Sequence, residues 1–138
     1  MILIINGPNL NWVGKREPDV YGTESLEEYL KGFEDAVTVR FTNLEGEIIN
    51  ALQEAEYNET IKAVIINAGG YSHTSIAIAD TIRAMKKPVI SVHISNIFDR
   101  ETERHKDLVS AACSGFIGGF GLRSYDLAVH ALSKPSNP

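Results

Sequence analysis

Ala63-Val-Ile-Ile66, followed by Asn67-Ala-Gly-Gly-Tyr-Ser-His-Thr-Ser75, is the stretch that decides the fold. The first four residues are all apolar and read as a strand buried on both faces. Ser72, Thr74 and Ser75 then offer N-caps for a helix through Met85, with Ile76, Ala79, Ile82 and Met85 on one face. Strand, polar loop and amphipathic helix make one βα unit. The same unit recurs on either side. Upstream, Ile2 to Ile5 is an apolar run followed by a loop from Asn6 to about Ser25, a helix over Leu26 to Asp35, an alternating strand Val37-Thr-Val-Arg-Phe41, and a helix over Glu45 to Tyr57. That last helix carries Ile48, Ile49, Leu52 and Ala55 at helical spacing. Downstream lie a strand Pro88-Val-Ile-Ser-Val92, a polar stretch Ile97 to Val109 with a short helix, a strand Gly115 to Gly119, and a helix Leu122 to Leu132.

Five short strands separated by helices predict a parallel sheet with helices on both faces and right-handed crossovers. The expected class is α/β: a flavodoxin-like three-layer sandwich with a five-stranded parallel sheet. Residues 1–138 read as a single catalytic domain, with a loop at 14–22 as an active-site lid. There is no internal repeat and no low-complexity linker.

Bulk properties narrow the function. Hydrophobic residues are 43% of the chain, enough for a core. Thirteen basic against 18 acidic side chains give a formal charge of -5, which argues against nucleic acid or an anionic membrane as partner. An anionic small molecule needs only local positive charge. The single cysteine, Cys113, excludes an internal disulfide and a cysteine-paired zinc site, and reads as a small buried apolar residue. Met1 to Ile5 runs straight into Asn6-Gly-Pro8 with no leader pattern, and no stretch reaches membrane-spanning length, so the expected setting is cytoplasmic.

Ligands of such sheets bind beyond the carboxyl ends of the strands. The loops there are unusually polar: Asn6-Gly-Pro-Asn-Leu10 with Gly14 to Gly22 after the first strand, Asn67 to Ser75 after the third, His93-Ile-Ser-Asn96 with Arg100 and Arg104 after the fourth. Arg16 and Tyr21 share the first loop. A guanidinium beside a phenol favours the phenolate, so the two either form a base and its activator or are a solvated arginine and a half-buried tyrosine. His73 alone reads as a surface hydrogen-bonding residue. His93 ends a buried strand, and the amides of Ile94 and Ser95 beside it suit a carboxylate. Asp80 reads as a solvated or subunit-contact carboxylate; His105 and His130 lie on expected helices and receive no role. Gly119-Phe-Gly121 resembles part of a dinucleotide fingerprint, but Ser124 breaks it and the acidic partner is missing. No lysine lies within a buried strand, where desolvation would ready it for imine formation.

Together, Ile5-Asn-Gly-Pro-Asn-Leu10, Arg16-Glu-Pro with Tyr21-Gly22, Asn67-Ala-Gly-Gly, His73-Thr-Ser and Val92-His-Ile-Ser-Asn96 resemble the type II 3-dehydroquinate dehydratases over nearly the whole chain. The resemblance implies an anti elimination of water from 3-dehydroquinate through an enolate, without metal or cofactor, in the shikimate or quinate pathway. It implies Tyr21 as base, Arg16 as its activator, Asn9 as holder of a water at the enolate oxygen, and His93 as general acid. Asn67, His73, Ile94, Ser95 and Arg104 match substrate-binding positions, Arg100 a second arginine on the lid side. Asp80 matches a residue that reaches a neighbouring subunit's site, implying a homo-oligomer, a dodecamer of trimers. Ser91 departs from the pattern: the family commonly has a glutamate there that orients the histidine, so another group or a water would have to serve. Glu103 stands where phenylalanine is usual, and Phe41-Thr-Asn-Leu-Glu-Gly46 is shortened. A non-catalytic small-molecule-binding relative on the same fold is the alternative, supported by Ser91 and Glu103. A receiver-like signalling domain lacks its acidic cluster after the first strand.

Overall fold

The computed structural model describes residues 1–15 and 24–133. Five strands, β1 (Ile2–Asn6), β2 (Val37–Phe41), β3 (Ala63–Asn67), β4 (Val89–His93) and β5 (Gly115–Gly118), form one sheet in the order β2-β1-β3-β4-β5. Every pairing is parallel; Ile2 stands opposite both Val37 and Ala63, and Ser91 opposite both Ile66 and Phe116. This is the flavodoxin-like order expected from the strand pattern.

Strand alternation divides the core in two. Ile2, Ile4, Ala63, Ile65, Ile90 and Val92 pack with α1 (Leu26–Leu30) and α5 (Arg123–Ser133). Leu3, Ile5, Val64, Ile66 and Val89 pack with α2 (Glu45–Tyr57), α3 (Ile76–Ala84) and α4 (Leu108–Ala112). Each buried Ile or Leu contributes about 1.5–3 kcal/mol, which is why β1, β3 and β4 carry almost no polar residue before their last positions.

Helix starts follow cap chemistry. Ser25 accepts from Glu28 N, Ser75 from Ile78 N, and Asp107 from Ser110 N. Four expectations need correction. The helix from Leu26 ends at Leu30 and tightens into a 3₁₀ segment, Lys31–Ala36, broken at Glu34 with φ 37°. Gly32 explains the weakness: glycine costs a helix interior about 1 kcal/mol against alanine. The polar stretch before α4 holds two 3₁₀ turns, Ile97–Asp99 and Thr102–Arg104, so His105 sits in a turn and not on a helix. The α3 helix stops at Ala84, with Met85 as its C-cap, and β5 stops at Gly118. Among the described residues no helix is long and apolar enough to cross a membrane.

Candidate active site

Asn6, Asn67 and His93 are the last residues of β1, β3 and β4, so the loops after these three strands open on one edge. The order reverses between β1 and β3, so the loops after these strands lead to helices on opposite faces of the sheet, the point at which such folds place ligands. Two glycines set its width. A Cβ on Gly7 would lie 2.7 Å from Ala68 O, so only glycine lets the first loop touch the third. Gly69 has φ 59°, a left-handed conformation, with Pro8 O 3.0 Å from where its Cβ would stand. The Gly7 N–H donates to Asn67 O at 2.8 Å and ties the loops together. Asn9 follows in the left-handed region at φ 67°, which asparagine tolerates, and its N–H donates to Asn43 Oδ1.

The resulting cleft holds about 700 Å³ of space, part of it open to solvent. Asn9, Asn67, His73, His93, Ile94, Ser95, Arg100 and Arg104 line it, with Leu10, Val13 and Ile97 as apolar walls. Eight of the eleven residues expected at the site are thus brought together from three loops. Asp80 is not among them: it is exposed on α3, away from this chain's own cleft. Arg16 and Tyr21 lie outside the described residues, although the chain lines the cleft at Val13, just before them.

Three of the polar walls, His73, His93 and Arg104, are held by hydrogen bonds. The His73 Nδ1–H donates to Lys106 O at 2.8 Å, because a carbonyl can only accept. Its ring stacks on that of His93, centroids 6.2 Å apart at 23°. The His93 Nε2–H donates to Asp107 Oδ2 at 2.7 Å. Glu101 holds Arg104 through its Nε at 2.6 Å and lies 3.9 Å from Arg100 Nε. Its carboxyl sits below the usual range, chiefly because Arg104 donates to it. The guanidiniums of Arg100 and Arg104 give this edge local positive charge on an acidic chain, which suits an anionic ligand.

Below the cleft runs a buried polar strut that spans the fold. The Tyr125 hydroxyl, on α5, donates to Asn6 Oδ1 at 2.7 Å and accepts from Asn67 Nδ2 at 3.0 Å. Asn67 Oδ1 in turn accepts from Gly69 N at 3.2 Å. Burial pushes the Tyr125 phenol well above its ordinary pKa. Tyr29 is pushed up to about 12 by burial and by its hydrogen bond to Asp126. Neither tyrosine is suited to act as a base, and no described tyrosine lines the cleft. Burial also pushes the Cys113 thiol up to about 12, with Asp107 adding to the effect, so it stays protonated and packs as an apolar group.

Sequence reasoning missed Asp107, Tyr125 and Glu101. Asp107 had one local signal, a carboxylate immediately ahead of the apolar Leu108-Val109, the position of a helix cap. Tyr125 had none: on an amphipathic helix it reads as ordinary core.

The fold and cleft define a flavodoxin-like α/β protein with an anion-suited site at the carboxyl edge of the sheet. A family model described as dehydroquinase class II matches residues 1–133. The chain is 53% identical over 137 residues to the 3-dehydroquinate dehydratase of an Exiguobacterium species, covering 95% of this chain and 92% of that protein. It resembles the crystal structure of type II dehydroquinase from Butyrivibrio crossotus with a TM-score of 0.88 and 38% identity, covering 96% of this chain and 97% of that one. The type II dehydroquinase structure from Propionibacterium acnes gives a TM-score of 0.85 and 41% identity, covering 96% and 94%. The chain belongs to the class II dehydroquinase family.

Proposed function

We propose that this chain is a hydro-lyase that converts 3-dehydroquinate to 3-dehydroshikimate by anti elimination through an enolate. The observation that carries the reading is the single cleft lined by eight of the expected site residues in a chain of this family. The substrate carboxylate is taken by the amides of Ile94 and Ser95, with Arg100 and Arg104 supplying positive charge nearby. Asn67 and His73 bind its hydroxyls.

The Tyr21 phenolate, favoured by Arg16, removes the proton beside the ketone. The electron pair moves to the carbonyl oxygen, where a water held by Asn9 meets the new charge. Collapse of the enolate expels the hydroxyl on the opposite face, and His93 gives it a proton so that it leaves as water. A proton beside a ketone is weakly acidic, so the enolate needs donors already in place; one such contact is worth about 3–4 kcal/mol. The 14–22 loop carries both Arg16 and Tyr21, and its closure would exclude water from them. No metal or cofactor has a part in these steps. The reaction belongs to the shikimate or quinate pathway in the cytoplasm. The working form is a homo-oligomer, a dodecamer of trimers, in which the exposed Asp80 reaches a neighbouring site. No nucleic acid or membrane is a partner.

The test is ultraviolet absorbance. Purified protein mixed with 3-dehydroquinate should produce the conjugated enone of 3-dehydroshikimate, and borohydride added during turnover should leave the protein mass unchanged. Folded protein that makes no enone defeats the activity. A trapped covalent adduct defeats the enolate route.

A further inference from the structure

Val89, Ser91 and His93 share one face of β4, and alternation turns that face toward α4, the helix that Asp107 caps. Asp107 uses its two carboxylate oxygens for two purposes. Oδ1 accepts from Ser110 N at 2.9 Å and fixes the helix start. Oδ2 accepts from His93 Nε2 at 2.7 Å. The side chains are only 7% and 9% exposed, so water competes little for this bond. The other rings against His93 are His73 and Phe116, at 6.2 and 6.0 Å, and neither contact supplies a carboxylate or carbonyl acceptor. Ser91 is too short to act directly, but its Oγ lies 2.7 Å from Ser110 Oγ, which also bonds Asp107 Oδ2. A hydroxyl has one proton and a carboxylate only accepts. Ser110 therefore gives its proton to Asp107, and Ser91 gives its own to Ser110.

We propose that Asp107 is the positioning residue for His93, supplying from the cap of α4 the carboxylate that the resemblance expects from the position of Ser91 on β4. The inference rests on the dehydratase reading for its kinetic consequence, not for the contact. The cap locks the Asp107 rotamer, and the rotamer aims the ring. Asp107 fixes Nε2 as a protonated nitrogen and sets the plane in which His93 meets a leaving hydroxyl. The same short segment orders the neighbouring groups: Arg104 lines the cleft, Lys106 O holds His73, and Asp107 holds His93. The hydrogen bonds from His93 and Ser110 outweigh a larger burial effect and keep the carboxyl below its ordinary range, so it accepts as an anion at neutral pH.

Asp107→Asn separates the two purposes, because asparagine also caps helices well. In Asp107→Asn, kcat should fall on the order of 10²-fold while KM stays within about threefold. In Asp107→Ala the loss should be at least as large, and Ser91→Glu added to Asp107→Ala should return about tenfold or more of it by restoring a carboxylate from the strand. A downfield imidazole N–H proton resonance, assigned by its loss in His93→Gln, should move upfield in Asp107→Asn. A resonance that stays in place overturns the contact, whether or not the protein turns over. A resonance that moves while kcat holds, or a double variant no better than Asp107→Ala, leaves Asp107 a helix cap alone and overturns the positioning role. Wild-type protein without turnover defeats the dehydratase reading separately, while the resonance still decides the contact.

Discussion

The two ends of the sheet solve the same problem in opposite ways. At the amino end, polar groups are satisfied at or near the surface, mostly by backbone carbonyls. The Met1 amino group donates to Thr60 O, Thr60 N to Asn58 Oδ1, and Lys87 Nζ to the carbonyls of Ala55 and Asn58. At the carboxyl end, polar side chains are buried and reach across the fold. Asn6 and Asn67 both bond the Tyr125 hydroxyl, side chain to side chain and out of water. Asn6, Asn67, Ser91 and His93 are all buried there. A buried polar group without a partner costs about 1–3 kcal/mol; Asn6 Oδ1, both polar atoms of Asn67 and the Tyr125 hydroxyl are paired, while Asn6 Nδ2 has no partner among the described residues. The difference teaches that the amino end closes the sheet, while the carboxyl end is built to hold polar groups at fixed positions.

The comparison can be broken from either end. Among the described residues the largest effect should come from His93→Gln, which keeps a donor toward Asp107 but removes the acid. Its kcat should fall on the order of 10³-fold, read by the enone absorbance, with KM little changed. Arg104→Met should raise KM by about 10- to 100-fold, matching the loss of one charged hydrogen bond, and affect kcat less. Tyr125→Phe deletes one hydroxyl that both donates and accepts. Urea unfolding should show a loss of about 1–3 kcal/mol, although the site shape is retained.

A smaller effect concerns acid. The Asp107 carboxyl is depressed in the folded state, so its contribution to stability is full above the unfolded carboxylate value of about 4 and fades as pH falls through the lower native value. The stability gap between wild type and Asp107→Asn, measured by thermal melting, should therefore narrow below about pH 4. The smallest change should come from the other end. Lys87→Met removes two hydrogen bonds, should cost about 1 kcal/mol or less by urea unfolding, and should leave kcat untouched.

The sheet was legible because β1, β3 and β4 are buried on both faces and therefore apolar throughout. The cleft was legible because the loops after β1, β3 and β4 carry Asn9, His73 and Arg104 beside the strand-end His93, a polarity that packing gives no reason for. What escaped notice was chemistry between residues that are distant along the chain and in contact in the fold. Asp107 sits in a polar stretch where a carboxylate is ordinarily solvated; only the fold brings it under His93. Tyr125 satisfies the apolar period of α5, and its hydroxyl matters only because the fold brings it within reach of Asn6 and Asn67 at the ends of β1 and β3. The departure at Ser91 was visible in the sequence, but what replaces the expected glutamate was not, since the answer depends on which face of β4 meets α4. The early end of α1 has a simpler cause: the apolar spacing continues past Leu30, but Gly32 weakens the helix there.

The central claim is that the carboxyl edge carries out an elimination whose base comes from the first loop. It is tested most directly by the steady-state kinetics of Tyr21→Phe on 3-dehydroquinate, with folding checked by circular dichroism. The expected result is a kcat lower by about 10³-fold or more with KM within a few-fold of wild type. A folded Tyr21→Phe protein that keeps kcat within about tenfold of wild type would contradict it.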